Sequence, residues 1–149
     1  GKYSKYSSVF DSIRKEIIRI DKNCEGFYFA AYYKDKVKYF IVMPLLEYNI
    51  FIKLKEDGYF GVIALNSPAN IRFVVSCWDK LANFRFLSIY FVNPFSESDK
   101  AWVIMPYVHN KICDKASLEL GLKSMAEMVR FTGIEEINQK VKSALINKK

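Results

Sequence analysis

The stretch GFYFAAYYKDKVKYFIVMPLLEYNIFIKLKEDGYFGVIAL, residues 26–65, decides the fold. Gly26 to Tyr33 reads as an aromatic-rich strand and Lys34-Asp35 as a tight turn. Val37 to Met43 reads as a second strand, ended by Pro44, which has no N–H to give to a sheet ladder. From Asn49 to Lys55, Ile50, Ile52 and Leu54 alternate with Phe51, Lys53 and Lys55, the period of a half-buried strand. Asp57-Gly58 then supplies a hairpin signal into Tyr59 to Leu65, because both residues tolerate positive φ. A meander of four antiparallel strands is the expectation.

Upstream, Ser7 and Ser8 are placed to cap a helix whose apolar positions are Phe10, Ile13, Ile17 and Ile20, stopping near Asp21-Lys22-Asn23. Downstream, Ser67-Pro68 starts a helix: Ser caps it, and Pro at the first helical position forfeits no needed hydrogen bond. Its stripe is Ile71, Val74, Val75, Trp78 and Leu81. Arg85 to Val92 and Ala101 to Val108 read as two more strands, joined by the polar loop Asn93 to Lys100. Two helices close the chain. The first carries Leu118, Leu122, Met125 and Val129 on one face. The second opens on a capping box, Thr132 with Glu135, and buries Ile134, Ile137, Val141 and Leu145. The element order is α-ββββ-α-ββ-αα, an α+β fold with a mostly antiparallel sheet and helices packed against it. No repeat or linker interrupts the chain, so residues 1–149 are expected to form a single domain.

The bulk composition, 51% hydrophobic and 26% charged, is that of a globular chain with a real core. The longest apolar run, Tyr39 to Leu46, falls far short of the ~20 residues that a bilayer crossing needs, so no membrane partner is expected. Gly1-Lys2-Tyr3 lacks the layout of a secretory leader. Cys24, Cys77 and Cys113 are far apart and odd in number, the pattern of free, buried thiols in a reducing, cytoplasmic setting. The net charge of +7 attracts phosphate polyanions by counterion release.

No catalytic constellation is assigned. His109 is the one histidine, and there is no CxxC pair, HExxH, Asp-rich loop or Gly-rich phosphate loop. No metal ligands and no cofactor are expected on these grounds. The order α-βββ-α-β, with Leu87-Ser88-Ile89-Tyr90-Phe91 following a helix, resembles that of nucleases holding Mg²⁺ on an Asp and a Glu-x-Lys. The matching strand here reads Phe40-Ile41-Val42-Met43-Pro44, with neither acid nor Lys, so the resemblance implies a catalytically dead member kept for binding. Glu25-Gly26, Ala30-Ala31, Pro44, Tyr48, Leu54 and Arg130-Phe131-Thr132-Gly133 are spaced as in FMN-binding split-barrel proteins, which the chain also resembles. That resemblance implies FMN as an alternative cofactor and a helix across Asn49 to Lys55. The polar groups that hold the flavin phosphate are replaced here by Phe29, Met43 and Glu47.

The residues with most binding chemistry lie on the more polar sides of the first three expected strands. Strand alternation groups Tyr28, Tyr32, Lys34, Lys36, Lys38, Phe51, Lys53 and Lys55 as one surface of flat rings and ammonium groups. Rings stack on bases and lysines meet phosphates, so the expected role is non-enzymatic nucleic-acid binding, single-stranded rather than duplex. An accessory subunit of a nucleic-acid-processing complex, docking protein subunits through its C-terminal helices, is the companion expectation.

Overall fold

The computed structural model describes residues 17–22, 27–97 and 99–147. Most of the expected N-terminal helix and Cys24 lie outside these residues. The expected last turn of that helix is extended instead, as strand β1 (Arg19–Lys22). It is followed by β2 (Phe29–Tyr32), β3 (Val37–Val42), α1 (Ile50–Lys53), β4 (Tyr59–Leu65), α2 (Pro68–Ser76) and α3 (Trp78–Leu81). Next come β5 (Phe86–Val92), β6 (Ala101–Ile104), α4 (Pro106–Ile112), a 3-10 turn at Lys115–Ser117, α5 (Leu118–Val129) and α6 (Ile134–Asn147). The six strands form one sheet in sequential order, with β1 and β6 at its edges. Pairs β1–β2, β2–β3 and β5–β6 are antiparallel, whereas β3–β4 and β4–β5 are parallel. The class is α+β, with a mostly antiparallel sheet and helices packed on it. The sheet is open, not the barrel that the flavoprotein resemblance implies.

Residues 49–55 correct the strand reading. Ile50 and Leu54 are 1% and 7% exposed, but Ile52 between them is 86% exposed. A separation of four puts two side chains on one side of a helix as well as of a strand, and the residue midway decides between them. One helical turn, α1, carries Ile50 inward and leaves Ile52 in solvent. The segment therefore crosses over the sheet, and β4 enters parallel to β3. The Asp57-Gly58 turn launches β4 rather than closing a hairpin. A Cβ at Gly58 would stand 2.4 Å from the Phe60 ring, so any other residue there must push that ring aside.

One face of the sheet carries the core. Ile41, Phe60, Val62, Ala64, Leu87, Ile89, Phe91, Trp102 and Ile104 project there and meet Ile71, Val74, Trp78, Leu81, Leu118 and Leu122 from the helices. Ser67 caps α2 as expected, its hydroxyl accepting from the Asn70 N–H, with Pro68 in the first turn. The expected stripe to Leu81 holds, with a break at Cys77 that separates α2 from α3. Beyond β6, Pro106 begins α4 where strand was expected to continue to Val108, because proline suits a first helical turn and Met105 before it is extended. On α5 the buried row is Leu118, Leu122, Ala126 and Val129, with Met125 turned to solvent. Thr132 is buried, and its hydroxyl donates to Glu136 rather than forming the expected box with Glu135. The expected buried stripe of α6 is open: Ile134, Val141 and Leu145 are exposed and Ile137 is half-buried. Cys77 is buried, but Cys113, expected to be buried, is exposed; both are free thiols. No helix among the described residues is long and apolar enough to cross a membrane.

Buried carboxamides lock the helices to the ends of the parallel strands. Asn66, just after β4, donates to the carbonyls of Ala126 (2.8 Å) and Arg130 (2.9 Å) and accepts from the Trp102 indole (2.8 Å). Asn93, just after β5, donates to the same Arg130 carbonyl at 3.0 Å. Asn70 donates to the carbonyls of Pro44 and Leu65 and accepts from the Leu46 N–H. The carboxyl ends of parallel strands are a common ligand position in open sheets. Here backbone groups and the Trp102 indole consume those amides, which makes them structural.

Candidate nucleic-acid interface

Hairpin register divides the expected site. Phe29 pairs with Phe40 and Ala31 with Lys38, so Lys38 shares its face with Phe29 and Ala31, not with Tyr32. Tyr32 lies on the helix side of β2, with the Arg19 guanidinium 4.1 Å from its ring centroid. Tyr28 is exposed and lines a hollow of about 290 Å³ with Ile20, Lys22 and Phe29. Lys34 and Lys36 are exposed at the β2–β3 turn. Phe51 belongs to the core layer, stacked near Phe73 and Phe84. Lys53 lies on α1 at 6.0 Å from the Phe27 ring, and Lys55 is exposed in the loop that follows. Of the eight, Lys36 and Lys38 come together on one surface.

That surface is the second face of the sheet, opposite the core. Its rows follow from the pairings: Lys38, Tyr59 and Phe86 stand side by side, as do Phe40, Gly61 and Ser88, and then Val42, Ile63 and Tyr90. Directly opposed rings stack, as cross-strand neighbours on one face do. Phe29 and Phe40 have centroids 4.4 Å apart at 11°, and Tyr59 and Phe86 4.4 Å apart at 19°. Lys36 lies 4.8 Å from the Tyr59 centroid, and Lys38 lies 5.3 Å from those of Phe40 and Tyr90. Among the described strand residues of this face, none is Asp or Glu. Ile20, Val42 and Val103 at its margins are exposed, while Ala31, Phe40 and Ser88 at its centre are buried.

Its electrostatics centre on Lys38. The ammonium donates to the Tyr90 hydroxyl (3.1 Å) and the Ser88 hydroxyl (3.4 Å). Burial, and then repulsion from Lys36, lower its pKa to about 8. Burial pushes the Tyr90 phenol upward, partly opposed by its hydrogen bond with Ser88. The expected list lacked Tyr59, Phe86, Ser88 and Tyr90, which become neighbours of Lys38 only through the parallel pairings.

Other chemistry is sparse. A cavity of about 220 Å³ behind α4 and α5 is lined mainly by apolar groups, with His109 and Cys113 among its walls. His109 packs edge-on against Trp78, whose indole donates to Asn110 at 2.9 Å. Among the described residues, no three His, Cys, Asp or Glu side chains converge as a metal site would need. No protein-family model, curated protein or solved structure matches this chain.

Proposed function

We propose that this chain binds single-stranded nucleic acid without catalysing a reaction, as a cytoplasmic accessory subunit, through the second face of its sheet. One observation carries the reading: Lys36, Lys38, Tyr59, Phe86 and Tyr90 share a face whose described strand residues include no acid. Rings offer bases a stacking partner irrespective of sequence, worth about 1–3 kcal/mol per base, and ammonium groups neutralise the backbone. The net charge of +7 adds long-range attraction.

Fluorescence anisotropy with single-stranded and duplex probes at two salt concentrations tests this. Tight, salt-sensitive binding to single strands is expected, weakened about tenfold or more by Lys36→Ala with Tyr59→Ala. The control pair Tyr32→Ala and Lys53→Ala, away from this face, should leave affinity within about twofold of the native value. Indifference to the first pair would remove the reading.

The open stripe of α6 favours a second role, docking onto an apolar surface of another protein subunit. Truncation after Gly133, which removes α6 and keeps the Arg130 carbonyl and Thr132, should then abolish subunit association, read by light scattering, and spare nucleic-acid binding.

A further inference from the structure

Lys38 is a cation largely withdrawn from water, and among the described residues its surroundings are neutral or positive. Hydroxyls of Ser88 and Tyr90 reach its ammonium, the rings of Phe40 and Tyr90 flank it, and the charge that acts on it is the like charge of Lys36. Among the described residues, no carboxylate forms an ion pair with it. A withdrawn cation ordinarily has an anionic partner, because desolvation otherwise goes uncompensated. The sheet is shaped for this arrangement. At Gly61 a Cβ would lie 2.5 Å from the Phe40 ring and 3.3 Å from Lys38 Cε, so glycine lets both side chains lie flat across β4.

We propose that Lys38, Ser88 and Tyr90 form a seat for one phosphate group of the nucleic acid bound on the second face, an inference that rests on the function proposed above. The ammonium has one proton to spare beyond its two hydroxyl partners, and both hydroxyls rotate to donate toward a new acceptor. Phosphate oxygens accept from all three groups and supply the missing negative charge. Among the described residues, the titratable groups around Lys38 are Lys36 from the β2–β3 turn, Tyr59 from β4 and Tyr90 from β5; its β2 neighbour is Ala31. None of these brings negative charge at neutral pH. A seated phosphate stabilises the protonated amine, so binding takes up a proton and weakens as pH rises from 7 to 9.5.

NMR titrations at pH 7 and constant ionic strength, using inorganic phosphate against chloride and then an oligothymidylate, test the seat in the native chain, in Lys38→Met and in Tyr90→Phe. Phosphate should perturb Lys38, Ser88 and Tyr90 in the native chain. Lys38→Met should lose that response and bind the oligonucleotide about tenfold or more weakly, and Tyr90→Phe should weaken both by a smaller factor. Lys38→Met should also be at least as heat-resistant as the native chain, which separates lost binding from lost folding. Equal oligonucleotide affinity for native and Lys38→Met chains would overturn the seat and leave the proposed function standing. A phosphate response at Lys38 with no oligonucleotide binding would overturn the proposed function and the assignment of the seat to nucleic acid. A response confined to exposed lysines such as Lys34 would also overturn the seat.

Discussion

The Lys38 ammonium and the Tyr90 hydroxyl lie 3.1 Å apart, reaching toward each other from β3 and β5 across the strand between them. Burial acts on them with opposite signs, favouring the neutral amine and the neutral phenol. Each member of the pair therefore leaves its own mark on stability as pH changes.

For Lys38 the folded pKa of about 8 is below its usual 10.5. Between these values the unfolded chain binds more protons, so stability rises with pH across that window, and the cost of the buried charge is felt in full below it. Tyr90, with a raised folded pKa, contributes stability that is lost as pH climbs past 10. Lys38→Met, which keeps an unbranched stem, should be more stable than the native chain at pH 7, by on the order of 3 kcal/mol at most. The difference should shrink between pH 8 and 10. Urea denaturation at several pH values measures it, and a pH-independent difference would refute the account.

Asn66 joins β4, β6 and the end of α5 through three side-chain hydrogen bonds. Asn66→Ala strands the Trp102 indole N–H and the Ala126 carbonyl in the interior, and leaves the Arg130 carbonyl to Asn93 alone. A loss of about 3–5 kcal/mol is expected, read from the urea midpoint with an unchanged slope.

Arg130 has φ 68° and ψ 139°, and its carbonyl accepts from both Asn66 and Asn93. That backbone conformation is essentially the preserve of glycine. Arg130→Gly should stabilise the protein by about 1 kcal/mol, seen as a higher melting temperature; a lower one would show that the side chain contributes more than the strain costs.

Gly61→Ala places a methyl group within 2.5 Å of the Phe40 ring. The ring must move off Phe29, its stacking partner. A destabilisation of about 1–3 kcal/mol is expected, along with weaker oligonucleotide binding, because Lys38 is displaced by the same methyl. Thermal melts and anisotropy on one preparation give both readouts.

Local signals in the sequence are legible wherever one residue type has one good use. Ser67-Pro68 opens a helix, Pro44 ends β3's run, and Arg85 to Val92 contains β5. Residues 49–55 mislead because Ile50 and Leu54 satisfy both periods, and nothing local states that Ile52 is in solvent. On α6 the apolar spacing gives the correct helix but not its environment, since periodicity says which residues share a face and not what meets that face. The candidate site is half legible for a related reason. Lys36 and Lys38 stand out in the hairpin, but their ring partners Tyr59, Phe86 and Tyr90 arrive through pairings between strands remote in sequence.

The parallel centre of the sheet also governs how the molecule comes together in time. The β3–β4 pairing must wait for residues 43–58 to loop back, and the β4–β5 pairing for α2 and α3 to span the gap between those strands. Neither ladder zips from an adjacent turn, so refolding in the millisecond-to-second range is expected, slower than for helical proteins of this size. During that delay the β2–β3 hairpin presents the bare backbone of Val37–Val42 to solvent, an adhesive strip that nascent or heat-stressed chains share. Crowded, unfinished copies will therefore tend to stick through β3, and rapid closure of the following crossover is what spares them.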